Sequence, residues 1–401
     1  MCFSHTHFEF LLRYSKLITS MLKAKLFLFF LILTTSLFAQ DFFKENGALR
    51  FNMIYGYNLA TNDIWKGHKS MNGPISGFEI GYSKFTSRSK HWERLYGTPR
   101  IGLSFQTILM NKPDTFGTCY SLLPNIEFRV ITLPRSEVSA KIAIGGTYVT
   151  RLFDEKSNFD NRAISSHLNF GIEFSASYHH EISNRVELNI EGSFFHVSNG
   201  NFSIPNGGYN LFYGKAGINY FFDEVPYLKR RGTYLKSFKN KAYYTGYVSY
   251  AYRNQGTFAG YRQYSVLTLH QSVMKKINKI SNIGVGLDAF YDPTSKLNYY
   301  MLYKDKELFV SDVKENEKYH VGIGLCYELM VGKLTIPMEC YEYVYDLKYV
   351  VNPTYVRFGL KYNIFKNFFV GGFVKGGFDK SMKFESAYME FATGWSIYRN
   401  R

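Results

Sequence analysis

Residues 184–222 read NRVELNIEGSFFHVSNGNFSIPNGGYNLFYGKAGINYFF, and this stretch decides how the rest of the chain is interpreted. Side chains alternate between the two faces of a strand. The first arm therefore has a polar row, which includes Glu187 and Glu191, and an apolar row, which includes Leu188 and Phe194. The segment predicts a β-hairpin with one polar and one apolar face.

Three polar residues continue the apolar face at the tip of this hairpin. His196 and Ser198 extend the apolar row of the first arm, and Asn210 begins the apolar row of the second arm. A serine attacks an ester when a base takes its proton, and histidine is the usual base. An amide can orient that histidine as a carboxylate does. The spacing predicts Ser198 as nucleophile, His196 as base and Asn210 as orienting group.

The residues between the two arms fit a catalytic tip and also fit an ordinary turn. The Asn199 amide and the backbone N–H groups of Asn199 and Gly200 lie next to the serine, where donors could stabilise an oxyanion. Pro205, Asn206 and Gly208 are expected to shape the loop. The same residue types are common in solvent-exposed turns, so the turn interpretation stays open.

The composition favours a membrane barrel over a soluble protein. Mean hydropathy is slightly negative, at −0.21, yet 18% of the residues are aromatic, with 34 Tyr and 37 Phe. Transmembrane β-barrels combine polar lumen positions with apolar lipid-facing positions and aromatic girdles. The sequence therefore predicts an all-β, antiparallel transmembrane β-barrel of the outer-membrane type, with 12 to 16 strands.

Sixteen segments have the length and alternation of barrel strands, eight before residue 223 and eight after residue 240. Most links that follow even-numbered strands are short, and those that follow odd-numbered strands include long ones at 59–74, 151–166 and 292–317. Outer-membrane barrels have short periplasmic turns and longer external loops. The pattern predicts periplasmic termini and an external hairpin tip. A single barrel is the preferred interpretation, and an eight-stranded barrel with an added unit stays open.

Three parts of the chain are distinguished. Residues 1–39 are expected to be a signal peptide, with Met21 as the expected true start, because Lys23 and Lys25 precede an apolar run. Residues 40–222 carry the active-site hairpin, and residues 223–401 add strands that complete or extend the barrel. The four cysteines are too scattered for a disulfide framework, although a bridge between Cys326 and Cys340 is conceivable.

The formal charge of +16 is spread along the chain. It favours contact with anionic lipid head groups, and no nucleic-acid partner is expected.

The tip residues carry a resemblance to a known family. His196-x-Ser198-Asn199, followed by Pro205-Asn206-x-Gly208-x-Asn210, resembles the signature of the lipid A 3-O-deacylase (PagL) family of outer-membrane barrels. The resemblance implies removal of an ester-linked acyl chain from lipid A in the bacterial outer membrane. It also implies His196 as base, Ser198 as nucleophile and Asn199 as an oxyanion contributor. That family carries an acidic third residue, whereas this chain has Asn210.

Asn210 instead resembles the outer-membrane phospholipase A family, which has His-x-Ser-Asn-Gly and an asparagine as third catalytic residue. That likeness implies a phospholipid substrate, calcium dependence and a possible homodimer. The deacylase interpretation implies no cofactor, and no metal-ligating residues are predicted. A non-enzymatic, porin-like barrel with a degenerate motif is a third interpretation.

Overall fold

The computed structural model describes the part of the chain that follows the predicted signal peptide, with several gaps. The described residues are 47–59, 72–224, 241–257, 260–294, 299–301, 308–310, 318–345, 354–378 and 384–398. The signal-peptide prediction lies outside them. No helix within these ranges is long and apolar enough to span a membrane.

The first eight strands close on themselves as an antiparallel barrel. They are β1 Gly47–Asn58, β2 Gly73–Phe85, β3 Arg100–Leu109, β4 Thr118–Thr132, β5 Ser136–Val149, β6 Leu168–Ser183, β7 Val186–Ser198 and β8 Tyr209–Phe221. Strand β8 pairs with β1 from Ala48↔Phe221 to Asn58↔Leu211, which closes the wall. Two short helices lie in the links, α1 at His91–Leu95 and α2 at Pro113–Phe116.

Ten further strands follow in the described residues, and eight of them form a second closed barrel. In chain order they are β9 Ala242–Thr257, β10 Gly260–Lys276, β11 Ser281–Tyr291, β12 Tyr299–Met301, β13 Leu308–Val310, β14 Tyr319–Val331, β15 Leu334–Tyr345, β16 Thr354–Asn363, β17 Phe368–Phe378 and β18 Phe384–Tyr398. Strand β18 pairs with β9 and completes the ring, while β12 and β13 pair only with each other.

The closed antiparallel barrels and their sixteen wall strands confirm the predicted β-barrel class, but the expectation of one barrel is corrected. Strand β8 pairs with β1 and not with β9, so residues 223–401 do not complete the first barrel. An eight-stranded barrel is just wide enough for its interior to be filled by side chains. Each half can therefore bury its own lumen without strands from the other half.

Alternation along the strands separates a polar lumen from an apolar outer surface. Buried Lys215 lies 2.7 Å from a Glu79 oxygen and 2.9 Å from a Glu173 oxygen. Glu191, from the polar row of the hairpin, also lies in the lumen, 3.6 Å from Lys215. Outward positions are apolar, as in β1, where Met53 is 60% exposed. The outward side chains suit hydrocarbon, and the lumen charges compensate one another away from it.

Cys326 and Cys340 are both free thiols, so the conceivable bridge between them is not formed. Cys326 is buried in the second barrel, whereas Cys340 is exposed. Their side chains lie on opposite faces of the wall, where no S–S bond can join them.

The two barrels are in contact at the end that carries the short turns. The Tyr96 hydroxyl donates a hydrogen bond to the Met330 carbonyl at 2.9 Å, and burial raises the pKa of Tyr96 to about 12. The Trp92 ring packs against Gly332, in the turn between β14 and β15. The long link between β2 and β3, an exception to the short-turn pattern, therefore provides contacts with the second barrel.

Candidate active site

The predicted hairpin is formed by β7 and β8, and the register places His196 directly opposite Asn210. His196 and Ser198 are partly exposed, whereas the intervening Val197 is fully buried on the lumen side. All three predicted catalytic residues therefore belong to the outer face of the first barrel, at the end that carries the long loops. Alternation along two paired strands is sufficient to bring them together.

The side chains form a connected row of hydrogen bonds. His196 Nδ1 lies 2.8 Å from Asn210 Oδ1, and His196 Nε2 lies 3.0 Å from Ser198 Oγ. An amide oxygen can only accept a hydrogen bond, so Nδ1 is the protonated nitrogen in this arrangement. Nε2 then has a free lone pair, which accepts the Ser198 hydroxyl. This is the tautomer in which a histidine can act as base towards a serine.

Aromatic side chains surround the row on the outer face. Phe170 lies opposite Ser198 in the register between β6 and β7 and is 37% exposed. Phe194 and Phe212 follow on the neighbouring outward positions, with ring centroids 4.8 Å apart. The outer surface beside Ser198 is therefore aromatic, which suits contact with an apolar acyl chain.

The loop after Ser198 is folded back on itself by Asn199. Its backbone N–H donates to Asn206 Oδ1 at 3.0 Å, and its side-chain amide donates to the Ser203 carbonyl at 3.0 Å. Asn199 is only 1% exposed. The backbone N–H and the side-chain amide of Asn199, both predicted as oxyanion donors, are therefore already bonded within the loop. The Gly200 N–H has no hydrogen bond among the described residues.

Two of the three glycines of the loop are required by its geometry. Gly200 has a φ of 65° and Gly208 a φ of 71°, a region that L-residues rarely adopt. A Cβ at Gly208 would lie 2.9 Å from His196 Cε1. The Gly208 N–H also donates to the Ala163 carbonyl at 2.9 Å, which ties the loop to the neighbouring link. Pro205 and Asn206, the other two residues predicted to shape the loop, lie in the same loop. The peptide bond before Pro205 is cis.

The second barrel contains a similar row of residues that the sequence reasoning missed. His270 Nε2 lies 3.0 Å from Ser272 Oγ, and His270 Nδ1 lies 2.8 Å from Asp288 Oδ1. The signal was a second His-x-Ser, followed by an acid on the next strand. All three residues are buried in the lumen, with Leu269 on the outer face beside them. The hydrogen-bond distances in this row equal those of the first row, but all of its side chains are buried.

The lumen around His270 also brings together possible metal ligands. Ligand atoms of His270, Cys326 and Glu339 lie within 4.8 Å of one another. Arg357, however, donates to Glu339 at 3.0 Å and to Asp288 at 2.8 Å. The carboxylates are therefore already paired with a cation, and the cluster is explained as part of a buried ion-pair network.

Two family models match the chain. Residues 76–219 match the lipid A 3-O-deacylase (PagL) model, and residues 239–400 match the model described as the acyloxyacyl hydrolase, C-terminal domain. No curated protein matches the chain at a significant level.

Solved outer-membrane barrels resemble the chain weakly. The β domain of the Bordetella autotransporter BrkA is 9% identical, with 88% of this chain and 99% of that chain covered, at a TM-score of 0.25. The siderophore receptor PirA from Acinetobacter baumannii is 8% identical, with 88% and 80% covered, at a TM-score of 0.22. The family assignment depends on the two sequence models alone.

The deacylase model includes β7, most of β8 and all the residues of the hydrogen-bonded row. The family implies hydrolysis of ester bonds, a lipid A substrate and a location in the bacterial outer membrane. With an eight-stranded barrel under each of the two models, this chain belongs to the lipid A 3-O-deacylase (PagL) family of outer-membrane proteins.

Proposed function

We propose that the chain is a serine esterase that removes an ester-linked acyl chain from lipid A, with Ser198, His196 and Asn210 as its catalytic residues. One observation carries the proposal. The Ser198 hydroxyl, the His196 imidazole and the Asn210 amide form a continuous hydrogen-bonded row on the outer face of the barrel. Polar groups on such a face are costly unless they serve a function.

The first chemical step is attack of Ser198 Oγ on the ester carbonyl carbon. The serine proton passes to His196 Nε2, 3.0 Å away, and the imidazole becomes positively charged. The Asn210 oxygen then accepts a charge-assisted hydrogen bond from Nδ1, which is stronger than the neutral one. When the intermediate collapses, Nε2 returns the proton to the leaving lipid alcohol. Water then hydrolyses the acyl-serine by the same route in reverse.

We assign stabilisation of the oxyanion to a hydrogen bond from the Gly200 N–H. Both donors of Asn199 are bonded to Asn206 and Ser203, so Asn199 contributes by fixing the loop. Gly200 follows two residues after the nucleophile, and its N–H is available in the described structure. A preorganised backbone donor at this point is worth about 10²-fold to 10³-fold in rate.

We further propose that residues 40–222 contain the complete catalytic machinery, because every residue of the row lies in the first barrel. The outward direction of Ser198 and the neighbouring Phe170 favour a substrate that reaches the site from the membrane. Lipid A and phospholipids both present acyl esters there. The match of residues 76–219 favours lipid A. A homodimer stays a prediction.

Phospholipase A activity is the second candidate, and Asn210 is the observation that favours it, since an asparagine holds the base in that family too. The two candidates differ in substrate and in calcium dependence. A porin-like barrel without enzymatic activity is the third candidate, and it predicts that none of these lipids is hydrolysed.

The test measures fatty acid release by the purified protein from lipid A and from phosphatidylethanolamine, with and without a chelator. We expect chelator-insensitive release from lipid A, and no release from either lipid by a Ser198→Ala variant. Calcium-dependent release from phosphatidylethanolamine alone would replace the deacylase with the phospholipase. Equal release by the wild type and Ser198→Ala would reject the serine mechanism.

A further inference from the structure

The second barrel contacts the loop that follows the nucleophile. The Gly200 carbonyl accepts a hydrogen bond from the Met389 N–H at 3.2 Å. The Asn201 carbonyl accepts one from the Asn254 N–H at 3.3 Å and one from the Asn254 side-chain amide at 3.1 Å. The Asn201 side-chain amide in turn donates to the Asn254 carbonyl at 3.2 Å. Four hydrogen bonds therefore join the active-site loop to strands β9 and β18.

The backbone conformation of the loop suits this contact. Gly200 and Asn201 both have positive φ, at 65° and 69°, and consecutive left-handed residues turn their carbonyls towards the second barrel. A Cβ at Gly200 would lie 2.8 Å from the Met389 Cβ. The two barrels thus come into close contact at the loop that carries the proposed oxyanion donor.

An aromatic path crosses the same junction. Phe170, beside Ser198, has its ring centroid 6.4 Å from that of Phe202 in the loop. Phe202 is stacked on Phe391 of β18, with centroids 6.3 Å apart and an interplanar angle of 13°. The three rings lead from the nucleophile of the first barrel to the outer wall of the second.

This path remains accessible to lipid. Phe391 is 49% exposed and Phe170 is 37% exposed, so the two end rings are not covered by protein. If the rings served only to pack the loop against β18, their burial would be expected to be more complete. An acyl chain gains free energy mainly by burying its apolar surface. Exposed aromatic surface that begins at a nucleophile is therefore suited to bind one.

We propose that Phe170, Phe202 and Phe391 form the binding site for the scissile acyl chain, so that the second barrel supplies one wall of the substrate site. The inference rests on the proposed function and names a part of the same site. Phe391 is thereby a specificity-determining residue: it contacts the distal methylenes of a long chain and has no contact with a short one.

The test compares two p-nitrophenyl esters, the butyrate and the palmitate, in detergent micelles. The variants are Phe391→Ala and, as a matched control, Phe365→Ala. Phe365 is 70% exposed on the second barrel, in the turn between β16 and β17 at the opposite end from the active site. Heat-modifiable migration in gels checks that each variant has assembled. Ser198→Ala defines the background rate.

We expect Phe391→Ala to lower kcat/KM for palmitate by about tenfold, as loss of contact with roughly two methylenes implies. Butyrate hydrolysis should stay within about twofold of wild type, since it needs the catalytic row and the oxyanion donor but not the aromatic path. Phe365→Ala should change neither rate.

Two results would overturn the inference while leaving the proposed function intact. In one, Phe391→Ala has no effect on either ester. In the other, it lowers both rates equally, which would mean that Phe391 only supports the loop. Hydrolysis by Ser198→Ala at the wild-type rate would instead overturn the proposed function, and the acyl site with it.

Discussion

Replacing Asn210 by leucine isolates the contribution of the third residue of the row. Leucine has a similar volume and suits the outward row of β8, which includes Phe212, exposed on the same face. The change removes the oxygen that lies 2.8 Å from His196 Nδ1. The barrel should therefore assemble, with only the orientation of the base and the stabilisation of its charged form lost.

The magnitude follows from that one hydrogen bond. A hydrogen bond to a charged group is worth about 1.5–3 kcal/mol, and each 1.36 kcal/mol changes the rate about tenfold. We therefore expect Asn210→Leu to lower kcat/KM by about 10-fold to 150-fold. Asn210→Asp keeps the acceptor and adds a negative charge beside the imidazolium, so its activity should equal or exceed that of the wild type.

The assay is release of fatty acid from lipid A in micelles, with assembly checked by gel migration. Activity of Asn210→Leu within about twofold of wild type would refute the orienting role. A loss as large as that of Ser198→Ala would also refute the reasoning, because orientation alone cannot account for it.

Three further predictions concern the loop, the lumen and metals. Gly200→Ala places a Cβ at a φ of 65° and 2.8 Å from the Met389 Cβ. We expect a loss of about 1–2 kcal/mol in stability and about tenfold lower esterase activity. Unchanged kinetics would contradict the proposed oxyanion donor. Lys215→Met leaves the buried Glu79 carboxylate without its cation and leaves Glu173 with Lys141 alone, at 3.4 Å. Unfolding in urea should show a loss of about 3–5 kcal/mol, and an unchanged midpoint would be inconsistent with a charge-compensated lumen. Chelation should leave deacylation unchanged in an activity assay, whereas a metal-dependent site predicts its loss.

The sequence predicted that His196, Ser198 and Asn210 lie together because their arrangement depends on local rules. Alternation sets the faces of β7 and β8, and a hairpin register brings His196 opposite Asn210. The quoted stretch 184–222 contains both strands of the hairpin and ends one residue after β8, Tyr209–Phe221. The polar lumen followed from the same period of two, as the pairing of Glu191 with Lys215 illustrates.

The division into two barrels could not be read from the sequence, because it depends on long-range pairing. The alternation in β8 is the same whether its free edge pairs with β1 or with β9, and only closure decides between them. The bonds of Asn199 to Asn206 and Ser203 likewise depend on the path of the loop in space. Of the two oxyanion residues that the sequence offered, Asn199 and Gly200, these bonds leave the Gly200 N–H as the proposed donor.

The most direct test of the catalytic assignment is the mass spectrum of lipid A from cells that carry the protein in a lipopolysaccharide-containing outer membrane. Ser198→Ala is compared with Ser272→Ala, which removes the serine of the lumen row, also 3.0 Å from its histidine. We predict that the wild type and Ser272→Ala yield lipid A lacking one acyl chain, while Ser198→Ala leaves it intact. Deacylated lipid A with Ser198→Ala, or intact lipid A with the wild type, would contradict the account.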